Sequence, residues 1–250
     1  MTMPTSSVPE IEYPDSDGKP MADNTLQFQW IVKIKENLDT QYQDDANVFV
    51  AGDLLWYPVE GRSDISVAPD ALVAFGRPRG YRGSYMQWRE AGIAPQVVFE
   101  ILSPNNTKAE MQRKLDFYDR YGVEEYYLYD PESPTLSAWI RQAGKLRPVA
   151  ESNGWTSPRL GIRFDLSGAE LVIFHPNGKP FLTLGDQTTE TEQAERRAKQ
   201  ERHEKVEAQR QAEQAQRQAE QERHEKEEAR RMVEKLAERL RTLGVDPNSI

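Results

Sequence analysis

A glutamate stands inside the most strand-like run of this chain. Residues 95–102 read Pro-Gln-Val-Val-Phe-Glu-Ile-Leu and close at Ser103-Pro104-Asn105-Asn106, the length and punctuation of a strand buried in the middle of a sheet. A carboxylate is rarely taken out of water unless a cation or hydrogen-bond donors meet it, so Glu100 demands a partner. The flanking segments supply candidates. Upstream, Pro69-Asp70 opens a second β-prone run over residues 71–75. Downstream, Thr107-Lys108-Ala109-Glu110 has the capping-box pattern that starts a helix, predicted over residues 111–121 with Gly122 as its stop. Met111, Leu115, Tyr118 and Gly122 share one helical stripe, the face expected against the sheet, and Lys114 falls within it. Residues 125–129 are again strand-like, so strand, helix and strand form a βαβ unit with parallel strands.

Taken together, Asp70, Glu100-Ile101-Leu102-Ser103, Lys114, Tyr118, Gly122-Val123 and the run from Glu125 to Pro131 resemble the Uma-type endonucleases. That group, abundant in cyanobacteria, belongs to the PD-(D/E)XK nuclease superfamily, and the resemblance covers residues 49–174. It implies an α+β fold, a restriction-endonuclease-like mixed β-sheet core flanked by helices. It also implies a metal-dependent endonuclease that hydrolyses phosphodiester bonds in DNA. On this resemblance Asp70, Glu100 and Lys114 are catalytic, and Asp70, Glu100 and the carbonyl of Ile101 hold Mg²⁺ or Mn²⁺, hard cations that take oxygen donors. One departure stands out: the superfamily carries Glu-x-Lys, and here the position two after Glu100 is Leu102. The resemblance implies that Lys114 replaces that lysine. Lys108 is the rival, but it lies in the first helical turn, where the helix end is already positive, and is expected to be solvated or to touch phosphate.

The residues themselves leave other readings open. Asp70 after Pro69 also suits a plain turn, and a lysine stem can lie on apolar surface with its head in water. The alternative function is a catalytically inactive, nuclease-derived module that binds nucleic acid or protein and dimerises through its coiled coil; the missing Glu-x-Lys favours it. An adaptor whose globular part carries a long helix is the third. The acidic balance, a formal net charge of −9 over 250 residues, does not mark an obvious nucleic-acid binder. Arg77, Arg79, Arg82, Arg89, Lys108, Arg113 and Lys114 nevertheless cluster near the site in sequence, which suits either phosphate contact or a solvated surface. With no cysteine, a disulfide framework and thiol catalysis are excluded. Of the 3 histidines only His175 lies in the globular part, which argues against a zinc centre or a Ser-His-Asp machine. No apolar stretch approaches the ~20 residues that span a bilayer. The acidic start lacks the regions of a signal peptide, so a cytoplasmic protein without membrane partners is expected.

Three segments follow from the composition. Residues 1–23, rich in Pro, Ser and Asp, read as disordered or partly ordered. Residues 24–185 form the nuclease-like domain. They begin with a helix over 25–38 that turns Leu26, Trp30, Ile31, Ile34 and Leu38 inward and Lys33, Lys35 and Glu36 outward. Residues 48–59 are strand-like but broken by Asp53, either a third acid of the site or, the favoured reading, an outward residue of an edge strand beside Gly52. After a turn at 60–63, the next strand is expected to carry Asp64 and Asp70; residues 76–92 make an irregular excursion with a short helix at 84–90. Residues 136–140 and 145–150 read as a hairpin, with short β pieces at 155–164 and 171–174.

Residues 186–250 change to Ala, Glu, Gln, Arg and Lys, and Glu201-Arg-His-Glu-Lys recurs at Glu222, three heptads on. Val233 and Leu240 at a, with Leu236 and Leu243 at d, predict a parallel homodimeric coiled coil. Upstream its seam is mostly alanine, from Ala229 back to Ala194, so pairing must come from the C-terminal turns. A lone, charge-laced helix is the other reading. His203 and His224 share one heptad position and read as solvated.

Overall fold

The structure is a computed structural model that describes residues 11–242 except Asp17 and Lys19, and not the side chains of Gln187, Glu190 and Leu240. The chain divides into two compact units, Met1–Asp186 and Gln187–Ile250.

In the first unit, helix α1 (Thr25–Gln41) precedes strand β1 (Val48–Gly52), the short β2 (Trp56–Tyr57), β3 (Ala71–Phe75), the short β4 (Tyr85–Met86) and a 3₁₀ turn (Gln87–Glu90). Strand β5 (Val97–Ile101), helix α2 (Lys108–Tyr121) and β6 (Glu125–Asp130) form the βαβ unit, with β5 and β6 parallel. Then come β7 (Thr135–Gln142), β8 (Lys145–Pro148), β9 (Arg163–Asp165) and β10 (Val172–Phe174). Six strands make a mixed sheet in the order β1-β3-β5-β6-β7-β8, so β5 is flanked on both sides and all of its residues are buried.

Strand alternation divides the core between the two faces of this sheet. Val97, Phe99 and Ile101 of β5 join Tyr127 and Tyr129 in one apolar layer with Trp30, Ile31, Ile34 and Leu38 of α1. Val98, with Leu72, Ala74 and Tyr126, meets Tyr118 of α2 together with Trp56 and Tyr85. Each fully buried aliphatic side chain here, such as Ile34, Leu38 or Leu72, contributes about 1.5–3 kcal/mol. Helix α2 starts and stops where its local signals say. Thr107 Oγ1 accepts from the Glu110 N–H at 3.2 Å, and Gly122 closes the helix at φ 100°, a left-handed conformation that glycine adopts without Cβ strain.

Several expectations need correcting. The run over 48–59 breaks at Asp53 as expected, with φ 47° there, but beyond the break β2 leaves the main sheet to pair in parallel with β4. Asp64 sits in an exposed turn against Arg62, 2.6 Å away, rather than on a strand with Asp70. The short helix expected over 84–90 is β4 followed by the 3₁₀ turn. The N-terminal segment is anchored in part: Tyr13 packs on Tyr57 and Trp88 at centroid distances of 5.2 and 5.0 Å, and the Tyr57 hydroxyl donates to the Pro14 carbonyl at 2.8 Å. Aromatic contacts offset the ordering entropy that composition alone made prohibitive. The rest of the disorder expectation, at residues 1–10, 17 and 19, lies outside the described residues.

Helix α3 (Leu184–Thr242) carries the chain through the second unit. Its Val206, Met232, Val233 and Leu236 are exposed, and His203 and His224 face Glu207 and Glu228 one turn on. The Leu240 side chain and Leu243 of the expected seam lie outside the described residues. Among the described residues no helix is long and apolar enough to cross a membrane.

Candidate active site

The antiparallel register of β3 and β5, with Ala71 opposite Phe99, brings the residue before β3 alongside the end of β5. Asp70 therefore meets the last turn of backbone in β5, and its Oδ2 accepts from the Ile101 N–H at 2.6 Å. One residue earlier, Glu100 points to the α2 face, almost wholly buried. Lys114 and Tyr118 stand one helical turn apart on α2 and both reach it. The Lys114 Nζ lies 2.7 Å from Glu100 Oε2, and the Tyr118 hydroxyl donates a short hydrogen bond to Oε1. Thus the partner that Glu100 required is an ammonium and a phenol together.

Helix α1 supports the arrangement from the opposite face. Gln27 is buried, and its Nε2 donates to the Ile101 carbonyl at 2.9 Å, while its Oε1 accepts from the Asp23 N–H at 2.8 Å. Asp23 Oδ2 in turn accepts from Ser103 Oγ at 2.5 Å. A cavity of about 550 Å³ opens here, lined by Asp23, Gln27, Asp53, Asp70, Glu110 and Lys114 among others. Asp53 is on its wall because the left-handed turn after β1 redirects the chain and lets its N–H donate to the Asp70 carbonyl at 3.3 Å. The outward edge-strand reading of Asp53 is thereby corrected. Asp tolerates that backbone conformation better than most residues.

The electrostatics follow from burial. Desolvation, then the neighbouring Glu100, holds the Asp70 carboxyl well above the usual carboxylate range, against the opposing pull of Lys114 and the Ile101 N–H. For Lys114, burial pulls its pKa down, but Glu100 and Asp70 outweigh it and the net direction is up, so it is an ammonium. Burial, reinforced by Glu100, pushes the Tyr118 phenol well up, which keeps it a donor. Two carboxylates thus face one lysine.

The structure brings together Asp70, Glu100, Ile101 and Lys114, the four residues singled out in the sequence. Leu102, at the position of the superfamily lysine, instead lines a neighbouring cavity. Lys108 opens α2 on the exposed surface. Much of the arginine cluster is already paired with acids: Arg77 and Arg82 converge on the buried Glu90 at 2.8 and 2.6 Å, and the exposed Arg79 reaches Asp39 at 2.5 Å. Asp23 and Gln27 escaped the sequence reading. Gln27 left a signal, a polar residue beside the apolar stripe of α1, but no local pattern could say what it faced. Among the described residues, no three His, Cys, Asp or Glu side chains form a ready-made metal cluster.

An aspartate just before β3, a glutamate within β5 and a lysine from the crossover helix meet at one end of two interior strands of a mixed sheet, in a restriction-endonuclease-like fold. The chain belongs to the Uma2 family, described as "Putative restriction endonuclease", whose profile matches residues 9–178. Among solved structures, a protein from Anabaena variabilis ATCC 29413 titled "a putative nuclease belonging to DUF820" shares 18% identity at a TM-score of 0.42, over 57% of this chain and 78% of that one. Comparison with functionally curated proteins gives no match.

Proposed function

We propose that this chain is a metal-dependent endonuclease that hydrolyses phosphodiester bonds in DNA, and that it acts as a homodimer joined through its C-terminal helix. The observation that carries the reading is the buried Asp70–Glu100 pair, balanced by the single ammonium of Lys114 beside an acid-lined cavity. Family membership supports it. The donor set suits Mg²⁺ or Mn²⁺. Its ligands are hard oxygens, and the Asp70 carboxyl, raised first by burial and then by the neighbouring Glu100, belongs to a buried acidic pair that a divalent cation would compensate. Asp70 and Glu100 would hold the ion, with the Ile101 carbonyl beside them. When bound, the ion supplies Lewis-acid activation of water and charge at the leaving oxygen. Lys114, held against Glu100, would supply an ammonium to offset negative charge developing at phosphorus, and Tyr118 keeps the Glu100 carboxylate oriented.

Nicking of supercoiled DNA in Mg²⁺ or Mn²⁺, blocked by EDTA, tests this. Asp70→Asn and Glu100→Gln should each abolish nicking with the fold intact, and full activity in both discards the assignment. One observation favours a second reading: both Glu100 oxygens are already satisfied by side chains, as in a nuclease-derived module that binds without cutting. Salt-dependent DNA binding without cleavage under all metal conditions would select it.

A further inference from the structure

The seam of α3 carries charges that a parallel pair cannot match. In the heptad fixed by Val233 and Leu236, Lys205 and Lys226 fall at a, Glu201 and Glu222 at d, and the remaining seam positions from Ala194 to Ala229 are alanine. The four charges are exposed, and among the described residues none makes a hydrogen bond or ion pair, although His203, His224, Arg230 and Arg231 beside them each meet a glutamate one turn away. Parallel helices set a against a and d against d, so no parallel alignment brings a seam glutamate to a seam lysine. The in-register one stacks each of the four charges on its own copy, and like charges facing each other count against a pairing. Antiparallel helices set a against d instead. One such alignment answers all four charges at once: Glu201 faces the partner's Lys226, and Lys205 faces the partner's Glu222. The same alignment lays Val233 on the partner's Ala194 and Ala198 on the partner's Ala229. Val233 and Leu236, exposed in the single chain, are covered in either orientation, so apolar burial separates the two little and the charged layers decide.

We propose that α3 binds a second copy of this chain in antiparallel orientation, in the alignment that sets Glu201 on Lys226 and Lys205 on Glu222. The proposal rests on the homodimer reading given above and replaces the parallel pairing expected from the aliphatic residues alone. The interface is isologous: its two-fold axis crosses between Glu213 and Gln214, so every contact occurs twice. Acids confined to d and lysines confined to a fix both the direction and the register, as single polar seam residues do in other coiled coils. The alanines between the charged layers let the two backbones approach closely. At 1.5 Å per residue, the two first units enter the pair at points about 80 Å apart, whereas a parallel pair would bring those points side by side.

The experiment uses the full chain, which holds no cysteine, so that introduced thiols are unique. In a glutathione redox buffer the double variant Ala198→Cys/Ala229→Cys should cross-link into covalent dimers, and neither single variant should. Only the antiparallel alignment brings position 198 to position 229 of the partner. Cross-linking by both single variants marks a parallel pair and overturns the proposal while the homodimer reading stands. A second arm exchanges charges. Glu201→Lys combined with Lys205→Glu keeps the composition and leaves every in-register parallel contact like-on-like, but turns each charged antiparallel layer repulsive. In sedimentation equilibrium its dissociation constant should rise about tenfold or more. Adding Glu222→Lys and Lys226→Glu should restore the wild-type value, because opposite charges then meet again in every layer. An unchanged constant in the first variant, or no recovery in the second, overturns the proposal. A dimer that none of the cysteine variants cross-links places the interface outside α3 and overturns it as well. A wild-type chain that stays monomeric at every concentration defeats the homodimer reading itself, and the proposal with it.

Discussion

Replacing Lys114 by methionine keeps an unbranched stem on the sheet-facing side of α2 and removes only the ammonium. At 2.7 Å from Glu100 and an effective dielectric constant of ~20, the lost attraction is ~6 kcal/mol, part of it offset because the lysine no longer gives up its hydration. Measured deletions of one partner from a buried pair cost about 3–5 kcal/mol. The Lys114 side chain keeps 21% exposure while that of Glu100 keeps 3%, so the expected loss is about 3 kcal/mol, at the lower end of that range. That is a large share of the ~5–15 kcal/mol that holds a typical domain together. Urea unfolding in EDTA at several pH values reads it directly. Without the ammonium, the Asp70 carboxyl, already raised by burial and by Glu100, loses the opposing pull of Lys114 and takes up a proton more readily. The destabilisation should be greatest at neutral pH and shrink as pH falls. Lys114→Met combined with Glu100→Gln should recover about 2 kcal/mol, because the orphaned charge is gone. A loss below about 1 kcal/mol at neutral pH, the range of an exposed pair, or one that ignores pH, would refute the reasoning.

Asp70→Asn gives a prediction of opposite sign. Because the folded carboxyl titrates above its ordinary value of 3.8, its favourable contribution is complete below that value and is lost as pH rises through the folded pKa. The asparagine variant should therefore melt higher than the wild type at neutral pH in EDTA, with the gap closing in acid; a wild type that melts higher at neutral pH contradicts the burial argument. Lys108→Met should leave turnover at saturating DNA unchanged but weaken binding and lower the salt slope by about 1, as one lost phosphate contact does; an unchanged slope removes Lys108 from the interface. Truncation before Met232 should give monomers in sedimentation, since Val233, Leu236, Leu240 and Leu243 are the large aliphatic residues at successive seam positions. A truncated chain that stays dimeric would place the interface in the first unit.

What the sequence by itself determined was local. The apolar run and its bounding turns made β5 and buried Glu100, while Thr107, Glu110 and Gly122 delimited α2. The 3.6-residue period put Lys114 and Tyr118 on the stripe facing that glutamate. These signals work because caps, turns and periodicity act within a few residues of themselves. Only the tertiary structure decided which polar groups would meet across long stretches of chain. Gln27 finds the Ile101 carbonyl 74 residues away, and Asp23 meets Ser103 80 residues on. Glu90 gathers two arginines that the sequence offered equally to phosphate or to water. The single left-handed residue at Asp53 ends β1 and turns an expected outward side chain onto the cavity wall. The raised Asp70 carboxyl depends on how much water packing excludes and on which charge lies opposite, and neither quantity exists in an unfolded chain.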